Sequence, residues 1–254
     1  MTDASAPPGL TPERFEELTT LLQGADSVEL KLTVPDGDQR SALQALQMDP
    51  LEAEVRQVLF FDTPDLTLNQ HGVIVRARRT PGGDDSVVKL RPVVPSEVPH
   101  HLRSLKGFGV EVDAVPGGFV CSGRLKAKLR AGKVKEAMLG ERSVGSLFGK
   151  KQRAFFEDCA PDGISLDDLV ILGPITVMKL KFSPDGYDGR MVAELWFYPD
   201  GSRILELSTK AATTDAFDVA ARTRQFLEHR GVNLSGEQQT KTKTALEYFS
   251  SELS

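Results

Sequence analysis

Ser27-Val28-Glu29-Leu30-Lys31 sets polar and apolar residues on alternate positions, and the alternation returns along the chain. It recurs in Ile74-Val75-Arg76-Ala77-Arg78, Val87-Val88-Lys89-Leu90-Arg91 and Glu111-Val112-Asp113. It recurs again in Val177-Met178-Lys179-Leu180-Lys181, Val192-Ala193-Glu194-Leu195-Trp196 and Ile204-Leu205-Glu206-Leu207-Ser208-Thr209-Lys210. Successive side chains of a strand point to opposite faces, so each stretch carries charge on one face and apolar groups on the other. The outward face of a half-buried strand is usually a mixture of Ser, Thr, Gln and charge. Here it is almost all Lys, Arg, Glu and Asp, which points to a site lined by a sheet.

Around these strands the pattern predicts helices and turns. Residues 1–10 are small and Pro-containing, as expected of a disordered terminus. Thr11-Pro12 is a helix start, with Thr as N-cap, and Gly24 a stop. Strands are expected at 27–34, 54–62, 73–80, 86–93, 108–114, 175–183, 190–198 and 203–210. Thr80-Pro81-Gly82-Gly83-Asp84-Asp85 and Tyr198-Pro199-Asp200-Gly201-Ser202 read as hairpin turns. The middle of the chain, about 120–170, reads as a helical insertion, with helices near 134–139 and 144–158. A long helix begins at Thr214-Asp215, and Lys241 to Glu247 fit a final one. Residues 11–250 thus read as one domain.

The 254 residues carry a net charge of −5, 40% hydrophobic and 26% charged residues, a soluble globular composition. The negative balance argues against a surface for duplex nucleic acid. Cys121 and Cys159 lack metal-ligand spacing and disulfide density, as expected in a reducing compartment. No stretch approaches the ~18 apolar residues of a membrane span, and the N-terminus lacks a secretory pattern. A cytoplasmic protein without membrane contact is expected.

Eight strands can close into an antiparallel barrel whose interior accommodates side chains or one small ligand. With the charged face inward, Lys31, Arg76, Arg78, Lys89, Arg91, Lys179, Lys181 and Lys210 would face Glu29, Glu111, Asp113, Glu194 and Glu206. Such an interior cannot stay dry, because burying an unpaired charge costs several kcal/mol. It suits a polyanion. A linear triphosphate can be gripped by Lys and Arg from opposite walls. Carboxylates on those walls would repel phosphate unless they hold a divalent cation, and Mg²⁺ takes oxygen ligands. Phosphoryl chemistry needs both sets. The competing view is a solvated face of cross-strand ion pairs.

The set of motifs resembles the CYTH superfamily, the triphosphate tunnel metalloenzymes. Ser27-Val28-Glu29-Leu30-Lys31 stands where that family has Glu-x-Glu-x-Lys. Phe60-Phe61-Asp62-Thr63-Pro64-Asp65, Arg76-x-Arg78, the strand with Lys89 and Arg91, Glu111-x-Asp113 and Lys179-x-Lys181 also match. Glu206-Leu207-Ser208 sits at a second Glu-x-Glu, and Lys243 at the late lysine. The resemblance covers about 27–115 and 175–245. It implies an α+β fold, an eight-stranded antiparallel tunnel with surrounding helices, and hydrolysis of an inorganic or organic triphosphate. Glu29, Lys31 and Glu206 would be catalytic. Lys31, Arg76, Arg78, Lys89, Arg91, Lys179, Lys181, Lys210 and Lys243 would bind triphosphate. Glu29, Glu111, Asp113, Glu194 and Glu206 would hold Mg²⁺ or Mn²⁺. Tripolyphosphate, a nucleoside triphosphate or thiamine triphosphate would be the ligand. Ser27 and Ser208 replace carboxylates that in the family help hold metals, and a serine hydroxyl is a weaker ligand for a hard cation. That departure favours a non-catalytic polyphosphate or nucleotide sensor as the alternative. An adenylate cyclase of class IV type is another, with Trp196 as the one candidate to stack on a base. Barrel faces left uncovered by helices would favour a homodimer.

Overall fold

The structure is a computed structural model describing residues 12–116, 118–234 and 241–253. The disordered terminus at 1–10 and the Thr11 cap lie outside those residues. Nine strands close one barrel: β1 (Ser27–Val34), β2 (Glu54–Asp62), β3 (Val73–Arg79), β4 (Asp84–Leu90), β5 (Phe108–Val115), β6 (Gly118–Leu129), β7 (Val170–Phe182), β8 (Met191–Phe197) and β9 (Arg203–Ala211). Around the barrel they run β1-β5-β6-β4-β3-β2-β7-β8-β9, with β9 returning to β1. The eight helices are α1 (Pro12–Gly24), α2 (Gln39–Ala45), α3 (Thr67–Gln70), α4 (His100–Arg103), α5 (Lys133–Met138), α6 (Lys150–Cys159), α7 (Ala216–His229) and α8 (Lys241–Leu253).

Two expectations about the barrel are corrected. It has nine strands, because 118–129, expected to open a helical insertion, form the long strand β6 between β4 and β5. It is mixed, because β1 runs parallel to β5, with Ser27 opposite Glu111 and Glu29 opposite Asp113. All other neighbours are antiparallel.

The apolar alternates point outward and are covered in three places. Leu59, Phe61, Val75 and Val88 pack under Val134 and Ala137 of α5 and Phe155 and Phe156 of α6. Val34, Leu180, Ala193 and Leu207 meet Ala42 of α2 and Leu227 of α7. Val28, Val110 and Val112 meet Leu18 and Leu22 of α1. Each burial of a Leu, Val or Phe side chain contributes ~1.5–3 kcal/mol relative to exposure. The middle helices therefore cover one side of the barrel. Buried Gln152 fastens α6 there: its amide donates to the carbonyls of Ser86 and Leu125, each at 3.1 Å, and accepts from the Ser86 hydroxyl at 3.1 Å.

A fourth apolar group lies on the inward face. Val58, Phe60, Ile74, Leu172, Val177, Trp196 and Ile204 converge there with Ala245 and Leu246 of α8. Facing register pairs confirm the parity, with Phe60 opposite Arg76, Val58 opposite Arg78 and Val177 opposite Trp196. Helix α8 seats where β8 ends and β9 begins.

Candidate functional site

Every strand contributes charge to the barrel interior except where α8 seats. On the wall formed by β1, β5 and β4, Lys31 Nζ lies 2.8 Å from Asp113 Oδ1 and 3.4 Å from Glu29 Oε2. Lys89 Nζ approaches the other oxygen of Asp113 at 3.2 Å. Glu111 pairs with Lys210 of β9 and, at 3.4 Å, with Arg124 of β6. The Ser208 hydroxyl donates to Glu29 Oε1 at 3.2 Å. Burial opposes ionisation of Asp113, yet Lys31 and Lys89 hold its carboxyl down to about 2. Burial likewise works against the Lys31 ammonium, but Asp113, Glu29 and Glu206 outweigh it and raise its pKa. For Lys89 burial wins and lowers it.

The opposite wall is organised around two acids that face each other across β8 and β9, Glu194 and Glu206. Lys241 Nζ sits between them, 2.6 Å from Glu194 Oε2 and 2.7 Å from Glu206 Oε1. Lys179 takes the second oxygen of Glu194 at 2.7 Å. The Trp196 indole donates to Glu194 at 3.3 Å, and its ring centroid lies 5.0 Å from the Lys241 ammonium. Burial disfavours ionised Glu194, but Lys241 and Lys179 hold it well below the usual carboxylate range.

A third group surrounds Arg78. Its guanidinium donates two hydrogen bonds of 2.9 Å to the two oxygens of Asp85, and Lys126 approaches that carboxylate at 3.4 Å. Arg76 is left without a partner. Asp85 is saturated by Arg78, and Glu194 by Lys179 and Lys241. The buried Nε of Arg76 has no hydrogen-bond partner. Burial, with Arg78 beside it, pushes this guanidinium down to about 10. Arg91 is held at its strand end by the glycine opposite: its N–H donates to the Gly72 carbonyl at 2.9 Å. Gly72 has φ +74, and a Cβ there would stand 2.0 Å from the Arg91 carbonyl oxygen, so that approach requires glycine.

The expected residues thus fall into groups. Glu29, Lys31, Lys89, Glu111 and Asp113 come together, as do Lys179, Glu194 and Glu206, while Arg76, Arg78 and Arg91 line the interior face. Lys210 reaches Glu111 from an exposed position, its side chain 57% accessible. Lys181 lies at the exposed end of β7. Lys243 is 66% accessible on the outside of α8, 3.7 Å from Glu247. The tail lysine inside the barrel is Lys241. Sequence reasoning missed Arg124, Lys126 and Asp85 as well as Lys241. Gly123-Arg124-Leu125-Lys126-Ala127-Lys128-Leu129 shows the same alternation as the recognised strands, so the signal for β6 was present. The Phe60–Asp65 stretch has a structural role: the Asp62 carboxylate accepts from the N–H groups of Thr63, Leu68 and Asn69 and fixes the turn into α3.

Glu29, Glu111 and Asp113 each offer a carboxylate oxygen, and the three lie within 4.8 Å of one another. This all-oxygen, acidic donor set fits a hard divalent cation such as Mg²⁺ or Mn²⁺. The lysines that neutralise it, Lys31, Lys89 and Lys210, sit on three different strands.

No protein-family model and no curated protein matches the chain. Solved structures do. A proposed adenylate cyclase from Bacillus halodurans is similar at 12% identity and a TM-score of 0.59, over 86% of this chain and 97% of that one. HpAC1 from Hippeastrum, a proposed adenylyl cyclase with a dominant triphosphatase activity, is similar at 17% identity and a TM-score of 0.63, over 87% of this chain and 95% of that one. At such identities the likeness establishes a shared barrel fold. No helix among the described residues is long and apolar enough to cross a membrane.

Proposed function

We propose that this protein binds a triphosphate inside the barrel and hydrolyses it with the help of one divalent cation. The observation that carries the reading is Arg76, a guanidinium in the barrel interior with a buried, unpartnered Nε and every neighbouring carboxylate already taken. An uncompensated buried cation costs several kcal/mol unless an anion joins it. Arg76, Arg91 and Lys89 surround room for phosphate oxygens, and Lys31 and Arg124 can exchange protein carboxylates for ligand charge. Lys and Arg on several strands would hold the chain of phosphates and stabilise the charge that develops as the anhydride bond breaks. Glu29, Glu111 and Asp113 would hold Mg²⁺ or Mn²⁺, which when bound neutralises phosphate charge and acidifies water. Lys31, within reach of Glu29 and Asp113, would keep both carboxylates ionised and positioned. The partner is a small polyanion, and the Hippeastrum structural neighbour with triphosphatase activity supports that class.

A second reading, a polyphosphate or nucleotide sensor, rests on Ser27 and Ser208. The Ser208 hydroxyl spends its hydrogen bond on Glu29, and neither serine adds negative charge for a metal. The cyclase reading loses its base platform, since Trp196 is 3% exposed and packed beneath α8 and Lys241. Phosphate release from tripolyphosphate, ATP and thiamine triphosphate, with Mg²⁺ or Mn²⁺ and chelator controls, tests the proposal. Metal-dependent release supports it. Tight binding without release assigns the sensor, and undiminished release in excess chelator removes the cation from the mechanism.

A further inference from the structure

The two acidic groups of the interior differ in what neutralises them. At the β8–β9 pair, Glu194 and Glu206 stand directly opposite, an arrangement that like charges disfavour. One ammonium relieves it, with contacts of 2.6 and 2.7 Å from Lys241. That lysine cannot swing aside freely. Its backbone carbonyl accepts from the Tyr198 hydroxyl at 3.1 Å, its ammonium lies 5.0 Å from the Trp196 centroid, and Ala245 and Leu246 one turn later are fully buried. Glu194 is saturated, since Lys179 holds one oxygen and Lys241 and Trp196 the other. A divalent ion here would need those same oxygens at about 2.1 Å. It would then sit against an ammonium that has nowhere to go.

At the β1–β5 cluster, by contrast, Glu29, Glu111 and Asp113 are neutralised by separate side chains from different strands. One of these, Lys210, is more than half exposed and free to withdraw into solvent.

We propose that the Lys241 ammonium is the resident cation of the Glu194–Glu206 pair, so that the barrel takes a single divalent ion, at Glu29, Glu111 and Asp113. The C-terminal helix thereby does two things at once: it seats the apolar plug and occupies a second carboxylate pair with its own charge. This rests on the reading of the Glu29 cluster as the metal-holding group.

The test is a Mn²⁺ titration of the full chain, followed by electron paramagnetic resonance of free ion and by calorimetry, without substrate. The wild type should bind one Mn²⁺. Lys241→Met, which removes the charge but keeps an unbranched stem, should bind two, and Lys241→Arg one. Should Lys241→Met fail to fold, Glu206→Gln decides: it should still bind one, and a fall below one would overturn the proposal. Two ions in the wild type would overturn it while leaving the hydrolase reading intact. A folded Lys241→Met that stays at one would overturn it as well. No bound Mn²⁺ at all would overturn both this proposal and the metal part of the function, whereas phosphate release is read independently.

Discussion

Strands β2 and β3 turn Val58, Phe60 and Ile74 into the barrel beneath α8, whereas β1, β4 and β5 turn Glu29, Lys31, Lys89 and Asp113 into the same interior. Both regions obey one alternation, and both face inward. The difference lies in what fills the space. Around α8 the barrel is completed by its own helix, and its interior behaves as a core. Elsewhere the cations and acids of the wall meet one another across the tunnel, and at Arg76 the pairing falls one anion short. The comparison teaches that a charged strand face is a site only where the fold does not supply the counter-charge.

The largest effect is expected on the closed side. Trp196→Ala would empty space between Phe60, Ile204 and Leu246, and should destabilise by about 3–5 kcal/mol, read from a denaturant midpoint. A loss under ~1 kcal/mol would mean that the plug is loosely packed and the two regions less distinct. On the open side the signs should reverse. Arg76→Gln should leave stability unchanged or improved, because it removes an uncompensated charge, yet weaken triphosphate binding by about 10- to 100-fold, the value of ~1.5–3 kcal/mol for a hydrogen bond to a charged group.

Acid should act on the β1–β5 wall. Asp113 has its pKa depressed to about 2, so its contribution is complete above the unfolded-state value near 3.8 and is lost as pH falls toward 2. That contribution is of order 2 kcal/mol. Urea midpoints should therefore drop between roughly pH 4 and pH 2, and Asp113→Asn should flatten that part of the profile. Lys31, whose pKa is raised, behaves oppositely: its contribution is full below its unfolded value and fades only as strong alkali passes the folded one. The smallest effect belongs to Lys243→Ala. An exposed ion pair with Glu247 at 3.7 Å contributes ~0–0.5 kcal/mol, so stability and triphosphate affinity should both stay at wild-type values. Weakened binding in that variant would bring the outer face of α8 into the site.

The alternation made most of the barrel legible, because parity alone sorts Arg76 and Arg78 from Val75 and Ala77. It could not reveal partners. The parallel pairing of β1 with β5 brings Glu29 opposite Asp113, and nothing local to either strand encodes it. Strand β6 was hidden for another reason: its alternating Arg124, Lys126 and Lys128 run directly into helices whose 3.6-residue spacing is the stronger pattern. In the tail, Lys241 and Lys243 are two residues apart on one helix and therefore on different faces. Only the docking of Ala245 and Leu246 against the barrel decides which one enters. The serines were visible at once, but that Ser208 donates to Glu29 depends on the closure of β9 onto β1.

The central claim, that the interior is short of negative charge and completes itself with a polyphosphate, is tested most directly by equilibrium binding. Tripolyphosphate would be titrated by calorimetry into the wild type and Arg76→Gln across a salt series. Tight, salt-sensitive binding in the wild type, weakened about 10- to 100-fold in a variant that melts no lower, is the predicted result. Equal affinity in the two proteins, or no binding to the wild type, would contradict it.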